Sequence, residues 1–114
     1  MKKIFLLILI ISGIQISAQT GVIKTAIKVF GNCTACKERI EEALDVPGIK
    51  SAEWNIDTKE LKLVYNSDKI SIEQIHQIIA KAGHDTEKVK APDSIYSKLP
   101  ECCLFRENPN THHD

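Results

Sequence analysis

Four cysteines are the residues of this chain best suited to chemistry, and they occur in two local pairs. Cys33 and Cys36 are separated by two residues, whereas Cys102 and Cys103 are adjacent. Such close pairs are poor at joining distant segments of a chain, but each presents two sulfurs to a single ion. Thiolates are soft ligands that favour copper(I) or zinc over magnesium or calcium. The spacing therefore predicts a soft-metal site rather than a disulfide framework.

The sequence around the first pair predicts that it lies where a strand meets a helix. Residues 22–30 alternate apolar and lysine side chains, as in a half-buried strand, and residues 35–47 carry a helical apolar stripe. Unpaired N–H groups and the dipole at a helix N-terminus stabilise thiolate. We therefore expect Cys36, in the opening turn, to have a more perturbed thiol pKa than Cys33, in the direction that favours thiolate.

The middle of the chain predicts a hairpin, a helix and a short strand. Two runs of alternating apolar residues flank the polar turn at 57–60, which is typical of a β-hairpin. Ser71 and Gln74 match a capping box that begins a second helix, and Gly83 is suited to end it. The short polar segment 84–90 then predicts an edge strand.

The order of these elements is β-α-β-β-α-β, which predicts an α+β fold. We expect a ferredoxin-like sandwich in which two helices lie on one face of a four-stranded antiparallel sheet. The domain should cover residues 19–90, with Trp54 and Tyr65 in the core or the hairpin and His76 at the surface or its boundary. The tail that follows, 91–114, contains the second cysteine pair.

The tail retains too many apolar residues for a solvated linker, so we expect its first part to dock on the domain. About ten residues separate Lys90 from Glu101, and an extended chain covers roughly 3.3 Å per residue. Cys102 and Cys103 are therefore able to reach the loop of Cys33 on length alone.

The first 18 residues have the features of a secretory signal peptide. Lys2 and Lys3 precede an apolar run over 4–11, and small residues lead to Ala18. The run is shorter than the roughly 20 residues of a membrane-spanning helix. We expect cleavage after Ala18 and release into the periplasm.

The charge of the chain is balanced, with 15 basic and 15 acidic side chains. Because the sequence has no basic stripe, nucleic acid is not expected as a partner.

Together these motifs resemble the heavy-metal-associated domain of copper chaperones, of the amino-terminal modules of copper ATPases and of the periplasmic mercury-binding protein. The resemblance covers about residues 22–90 and rests on a strand, the loop Gly31-Asn32-Cys33-x-x-Cys36, a helix ending in Val46-Pro47-Gly48-Ile49 and a helix ending in Ala82-Gly83-His84-Asp85. It implies that Cys33 and Cys36 bind a metal ion and pass it by ligand exchange to a metal-transporting or metal-receiving protein, without catalysis.

One departure from the family pattern concerns this loop. The usual family sequence is Gly-Met-x-Cys-x-x-Cys, whereas here the loop is one residue shorter, with Asn32 between Gly31 and Cys33, and it lacks the Met. The metal preference therefore stays open, with copper(I) as the first candidate and zinc or mercury(II) as alternatives.

Three further residues are candidate ligands. His84 follows the second helix in the loop that, by the resemblance, faces Cys33 and Cys36. It is either a third ligand or a helix-terminal histidine that interacts favourably with the dipole. Cys102 and Cys103 either complete a four-sulfur site, form a second weak site, or are an oxidised or inert pair.

Two other classes of function stay open beside metal buffering or shuttling and its variant, a mercury scavenger. A thiol–disulfide oxidoreductase also uses Cys-x-x-Cys at a helix start. The sequence argues against it, because none of the four prolines lies on a predicted strand opposite the motif. The remaining class is a structural or interaction domain whose cysteines are oxidised.

Overall fold

A computed structural model describes residues 21–110, so the predicted signal peptide lies outside the described residues. The elements of the domain are β1 (Val22–Lys28), α1 (Thr34–Ala43), β2 (Ile49–Trp54), β3 (Glu60–Asn66) and α2 (Ile72–Lys81). The tail adds a short helix, α3 (Asp93–Tyr96), and a 3-10 turn at Glu101–Cys103. None of the helices in this part of the chain is both long and apolar enough to cross a membrane.

The sheet consists of β3 between β1 and β2, with both pairs antiparallel. The predicted hairpin of β2 and β3 is confirmed. Its turn is closed by Asn55, whose side-chain oxygen accepts hydrogen bonds from the backbone N–H groups of Asp57 and Thr58 at 2.8 and 2.9 Å. Lys59 completes the turn with a positive φ of 66°.

Both helices and one face of the sheet share a single core, as predicted. The alternate residues Leu61, Leu63 and Tyr65 of β3 are buried in the same cluster as the apolar residues of α1 and α2. Trp54 also belongs to this core. Each fully buried aliphatic side chain of this kind stabilises the fold by roughly 1.5–3 kcal/mol. The order of elements and the two-layer arrangement therefore follow from the apolar pattern.

The capping box predicted for α2 is confirmed in both directions. The Gln74 N–H donates to Ser71 Oγ at 3.1 Å, and the Ser71 N–H donates to Gln74 Oε1 at 2.9 Å. After the helix, Gly83 adopts a positive φ of 107°. Leu99 of the tail lies only 2.8 Å from where a Cβ at Gly83 would be, so glycine here permits both the turn and the approach of the tail.

The predicted four-stranded sheet is not found, since the described residues form three strands. Where the fourth strand was expected, only a single bridge joins Val29 and Thr86. Thr86 turns the chain away from the sheet, because its Oγ1 accepts hydrogen bonds from the backbone N–H groups of Lys88 and Val89.

The predicted placement of His76 at the surface or its boundary is wrong as well. His76 is buried, and its Nδ1 lies 2.6 Å from Thr86 Oγ1.

The tail docks on the domain, as predicted. Ala91, Tyr96 and Phe105 form a second apolar cluster, and Cys103 is part of the main core. The Phe105 ring stacks on His84 with ring centroids 5.2 Å apart. The tail is thus packed against the end of the domain that carries the Cys33 loop.

Candidate metal centre

The loop between β1 and α1 places two cysteines on the core side of the chain. Cys33 is the N-cap of α1, and its carbonyl accepts the backbone N–H of Cys36 at 3.0 Å. Gly31 makes this turn possible, because a Cβ there would lie 3.0 Å from the Cβ of Cys36 and 3.1 Å from the ring of Trp54. Trp54 is held in place by its Nε1–H, which donates to the carbonyl of Val29 at 2.9 Å.

Three sulfurs meet at this point, and we call Cys33, Cys36 and Cys103 the thiol centre. The Sγ of Cys33 lies 3.3 Å from that of Cys36 and 3.1 Å from that of Cys103. All three ligand atoms lie within 4.8 Å of one another, and all three residues are buried. A trigonal ion with metal–sulfur bonds of about 2.3 Å needs sulfurs about 4 Å apart, so a small outward movement accommodates it.

Cys102 has a different position from its neighbour. It is exposed, and its Sγ lies 3.8 Å from Cys33 and 3.9 Å from Cys103. The tail thus brings both of its cysteines to the Cys33 loop, one into the core and one at the surface.

The protonation of the buried thiols differs from the expectation based on the helix dipole. Burial is the largest influence on Cys36 and raises the pKa of its thiol. Burial also raises the pKa of Cys103 to about 11, although a hydrogen bond from Arg39 acts in the opposite direction. The predicted thiolate stabilisation at Cys36 is therefore wrong for the metal-free protein. These two thiols are neutral near pH 7, and a metal ion must displace their protons.

A positive charge also contacts the centre. Arg39 of α1 donates from Nη1 to the Sγ of Cys103 at 3.2 Å. Arg39 is half-buried beneath the tail. No local signal reveals this role, because the sulfur it contacts lies 64 residues further along the chain.

Asn32 joins the loop to the tail, and sequence reasoning did not assign it a role. Its Oδ1 accepts from the thiol of Cys36 at 3.4 Å, and its Nδ2 donates to the carbonyl of Asn108 at 2.7 Å. The signal was present, since Asn32 lies where the loop departs from the usual family pattern. The departure coincides with a contact that a chain without this tail lacks.

His84 is buried beside the loop but does not belong to the thiol centre. Its Nδ1 lies 2.9 Å from the carbonyl of Phe30, and among the described residues its buried Nε2 has no hydrogen-bond partner. Burial lowers the pKa of His84 to about 4, so the imidazole is neutral near pH 7. If Nδ1 carries the hydrogen, Nε2 is the nitrogen with the free lone pair. Its role as a ligand stays a prediction.

Known proteins resemble the part of the chain that contains Cys33 and Cys36. The family model described as the heavy-metal-associated domain matches residues 26–85. The copper chaperone CopZ of Staphylococcus epidermidis is 35% identical over 63 residues, which are 54% of this chain and 93% of that protein. CopZ of Staphylococcus haemolyticus is 31% identical over 67 residues, which are 57% of this chain and 98% of that protein.

A solved structure shows the same relationship. It is the N-terminal domain of a potential copper-translocating P-type ATPase from Bacillus subtilis in the Cu(I)-loaded state, with a TM-score of 0.56 and 27% identity. The alignment covers 65% of this chain and 95% of that domain. Cys33 and Cys36 fall within the residues matched by the family model, whereas Cys102 and Cys103 lie beyond them. The tail is thus an addition to the part of the chain that the family model describes.

Proposed function

Because this chain belongs to the heavy-metal-associated domain family, we propose that it carries copper(I) on the thiolates of Cys33, Cys36 and Cys103. The main support for this proposal is that three buried sulfurs lie within 4.8 Å of one another. Soft thiolates suit copper(I). The copper chaperones among the relatives and the Cu(I)-loaded neighbour support copper as the ion.

The surroundings of the centre are suited to holding an ion rather than to redox catalysis. A thiol–disulfide oxidoreductase needs an accessible cysteine with a lowered pKa. Here Cys33 and Cys36 are buried, and the pKa of Cys36 is raised. Arg39, which donates to Cys103, offsets part of the negative charge that three thiolates and one monovalent ion leave. These features support a non-enzymatic carrier.

The carrier is proposed to act in the periplasm after removal of residues 1–18, where it buffers copper(I) or passes it to a metal-transporting protein. The apolar start of the chain supports secretion. The similarity to a domain of a potential copper-translocating ATPase supports a transporter as the partner class. Transfer proceeds by thiolate exchange, in which an incoming sulfur replaces one of the three.

The test is an anaerobic competition titration with a chromophoric copper(I) chelator. Cys33→Ser combined with Cys36→Ser should abolish high-affinity binding and leave the fold intact by circular dichroism. Cys103→Ser should weaken binding and lower the sulfur coordination number at the first ion from three to two in X-ray absorption. Glu101→Gln, an exposed change next to the cysteine pair, is the matched control and should bind as the wild type does.

Wild-type affinity in the double variant would overturn the site. The identity of the ion needs a separate measurement, because many soft ions bind thiolates in vitro. Metal analysis of protein isolated anaerobically from its native compartment should find copper. Zinc or mercury in its place would overturn copper(I) as the ion.

A further inference from the structure

The exposed thiol of Cys102 is not used by the three-sulfur site, yet it lies against it. Its Sγ is 3.8 Å from Cys33 and 3.9 Å from Cys103, and these two sulfurs are 3.1 Å from each other. Cys33, Cys102 and Cys103 therefore form a second triangle of sulfurs. This triangle shares one edge, Cys33 to Cys103, with the triangle of the thiol centre.

From these two triangles we infer that the four cysteines bind two copper(I) ions in one cluster. Cys33 and Cys103 are the bridging thiolates, Cys36 is the terminal ligand of an inner ion, and Cys102 is the terminal ligand of an outer ion. Each ion then has three sulfur ligands. The inference rests on the proposed function, since it extends the same thiol centre.

The distances fit such a cluster. With metal–sulfur bonds of about 2.3 Å and the bridging sulfurs 3.1 Å apart, the two ions lie about 3.4 Å from each other. As the bridging sulfurs move outward, the ions approach more closely. Copper–copper scattering in this range is measurable by X-ray absorption, and a single ion has none.

The charge of the centre also permits the second ion. The outer ion brings one positive charge, and Cys102 becomes a thiolate with one negative charge, so the net charge of the cluster is unchanged. Each thiol that binds gives its proton to solvent, and copper stays in the +1 state throughout. Arg39 is placed to interact with the charge of the cluster, because it donates to the bridging Cys103.

The two ions differ in their exposure to solvent. The inner ion has three buried ligands, whereas the outer ion has one exposed ligand, Cys102. The inner position should fill first, and the outer ion should be removed first by a competing chelator.

The test is an anaerobic copper(I) titration of the mature chain, read by native mass spectrometry and X-ray absorption. The wild type and the Glu101→Gln control should take up two ions per monomer and show copper–copper scattering. Cys102→Ser should take up one ion with three sulfur ligands and no copper–copper scattering. Cys36→Ser should also retain one ion, because Cys33, Cys102 and Cys103 still form a complete triangle.

The possible failures are distinguishable. One ion in the wild type, with the same spectrum in Cys102→Ser, would overturn the cluster and leave the proposed function standing. Two ions in Cys102→Ser, or two ions found only in a dimer, would also overturn the cluster. No tight binding in the wild type would overturn both proposals.

Discussion

Replacing Arg106 with Ala should release the tail and, with it, the third sulfur of the thiol centre. Arg106 binds both carboxylate oxygens of Asp85, from Nη2 at 2.7 Å and from Nε at 3.0 Å. Nη2 also donates to the carbonyl of Ala91 at 2.8 Å. The guanidinium lies 4.0 Å from the centroid of the Tyr96 ring. One side chain thus joins the end of the domain to two parts of the tail.

The magnitude follows from the burial of this ion pair. The side chains of Arg106 and Asp85 are 19% and 13% exposed, so removal of one partner leaves a largely buried charge. Breaking a fully buried pair costs roughly 3–5 kcal/mol, and a cation–π contact adds roughly 0.5–1 kcal/mol. Because this pair is not fully buried, we expect a loss of about 2–4 kcal/mol in the free energy of unfolding.

Asp93 provides a matched control. It also binds Arg106, at 3.0 Å, but its side chain is 93% exposed, and exposed pairs contribute roughly 0–1 kcal/mol. Asp93→Asn should therefore be nearly neutral.

The pKa of Asp85 should also respond to the loss of Arg106. Burial raises the pKa of Asp85, but the hydrogen bonds from Arg106 and from the Ala91 N–H, together with the charge of Arg106, outweigh burial and hold this pKa below its usual range. The pKa should rise when Arg106 is removed.

The assay combines urea denaturation of the metal-free protein with the rate of alkylation of Cys103. Arg106→Ala should lower the midpoint and expose the Cys103 thiol to the reagent, whereas Asp93→Asn should do neither. Asp85→Asn and the Arg106→Ala, Asp85→Asn double variant complete a cycle that isolates the pair. If Arg106→Ala costs no more than Asp93→Asn, or if Cys103 is alkylated at the wild-type rate, Arg106 does not hold the tail in place.

Two further predictions concern protons. The folded-state pKa of His84 is about 4, below its ordinary value of 6.5. The stability of the metal-free protein that is present above pH 6.5 should therefore be lost as the pH falls to 4, by up to about 3 kcal/mol from this group. His84→Phe should show a shallower loss in urea midpoints over that range, and equal slopes would contradict the assignment. Copper(I) binding near pH 7 should release one proton from each of Cys36 and Cys103, so affinity should fall as the pH is lowered. Calorimetry in buffers of different ionisation enthalpy measures this release, and heats that do not depend on the buffer would argue against it.

The fold was predictable where its signals are local. The capping box of Ser71 and Gln74 and the hairpin turn depend on residues a few positions apart, and both form as expected. The prediction of a fourth strand was wrong because the hydrogen bonds of one side chain determine the path of this segment. Thr86 binds its own following backbone and diverts the chain, and the same hydroxyl gives the buried His76 its partner. A polar segment of this length does not reveal in advance which of these bonds it makes.

The candidate site was likewise predictable only where its signals are local. Cys33 and Cys36 were predictable from their spacing, and length alone brought the second cysteine pair within reach. Which of the two tail cysteines is buried was not predictable, because it depends on the 3-10 turn that presents Cys103 inward. The sign of the pKa shift at Cys36 was also missed. The helix position suggested a stabilised thiolate, but burial of the thiol in the core has the larger effect.

Under the proposed function, the tail decides how the ion leaves. Transfer requires an incoming thiolate to replace one of three sulfurs, and these are not held equally. Cys33 and Cys36 are fixed by the loop and by the first turn of α1, whereas Cys103 is held by a segment that Arg106 attaches to Asp85. Cys103 is therefore the ligand whose position depends on the docking of the tail. The ion pair that keeps this third sulfur in place thus sets both how firmly copper is retained and how readily a partner removes it.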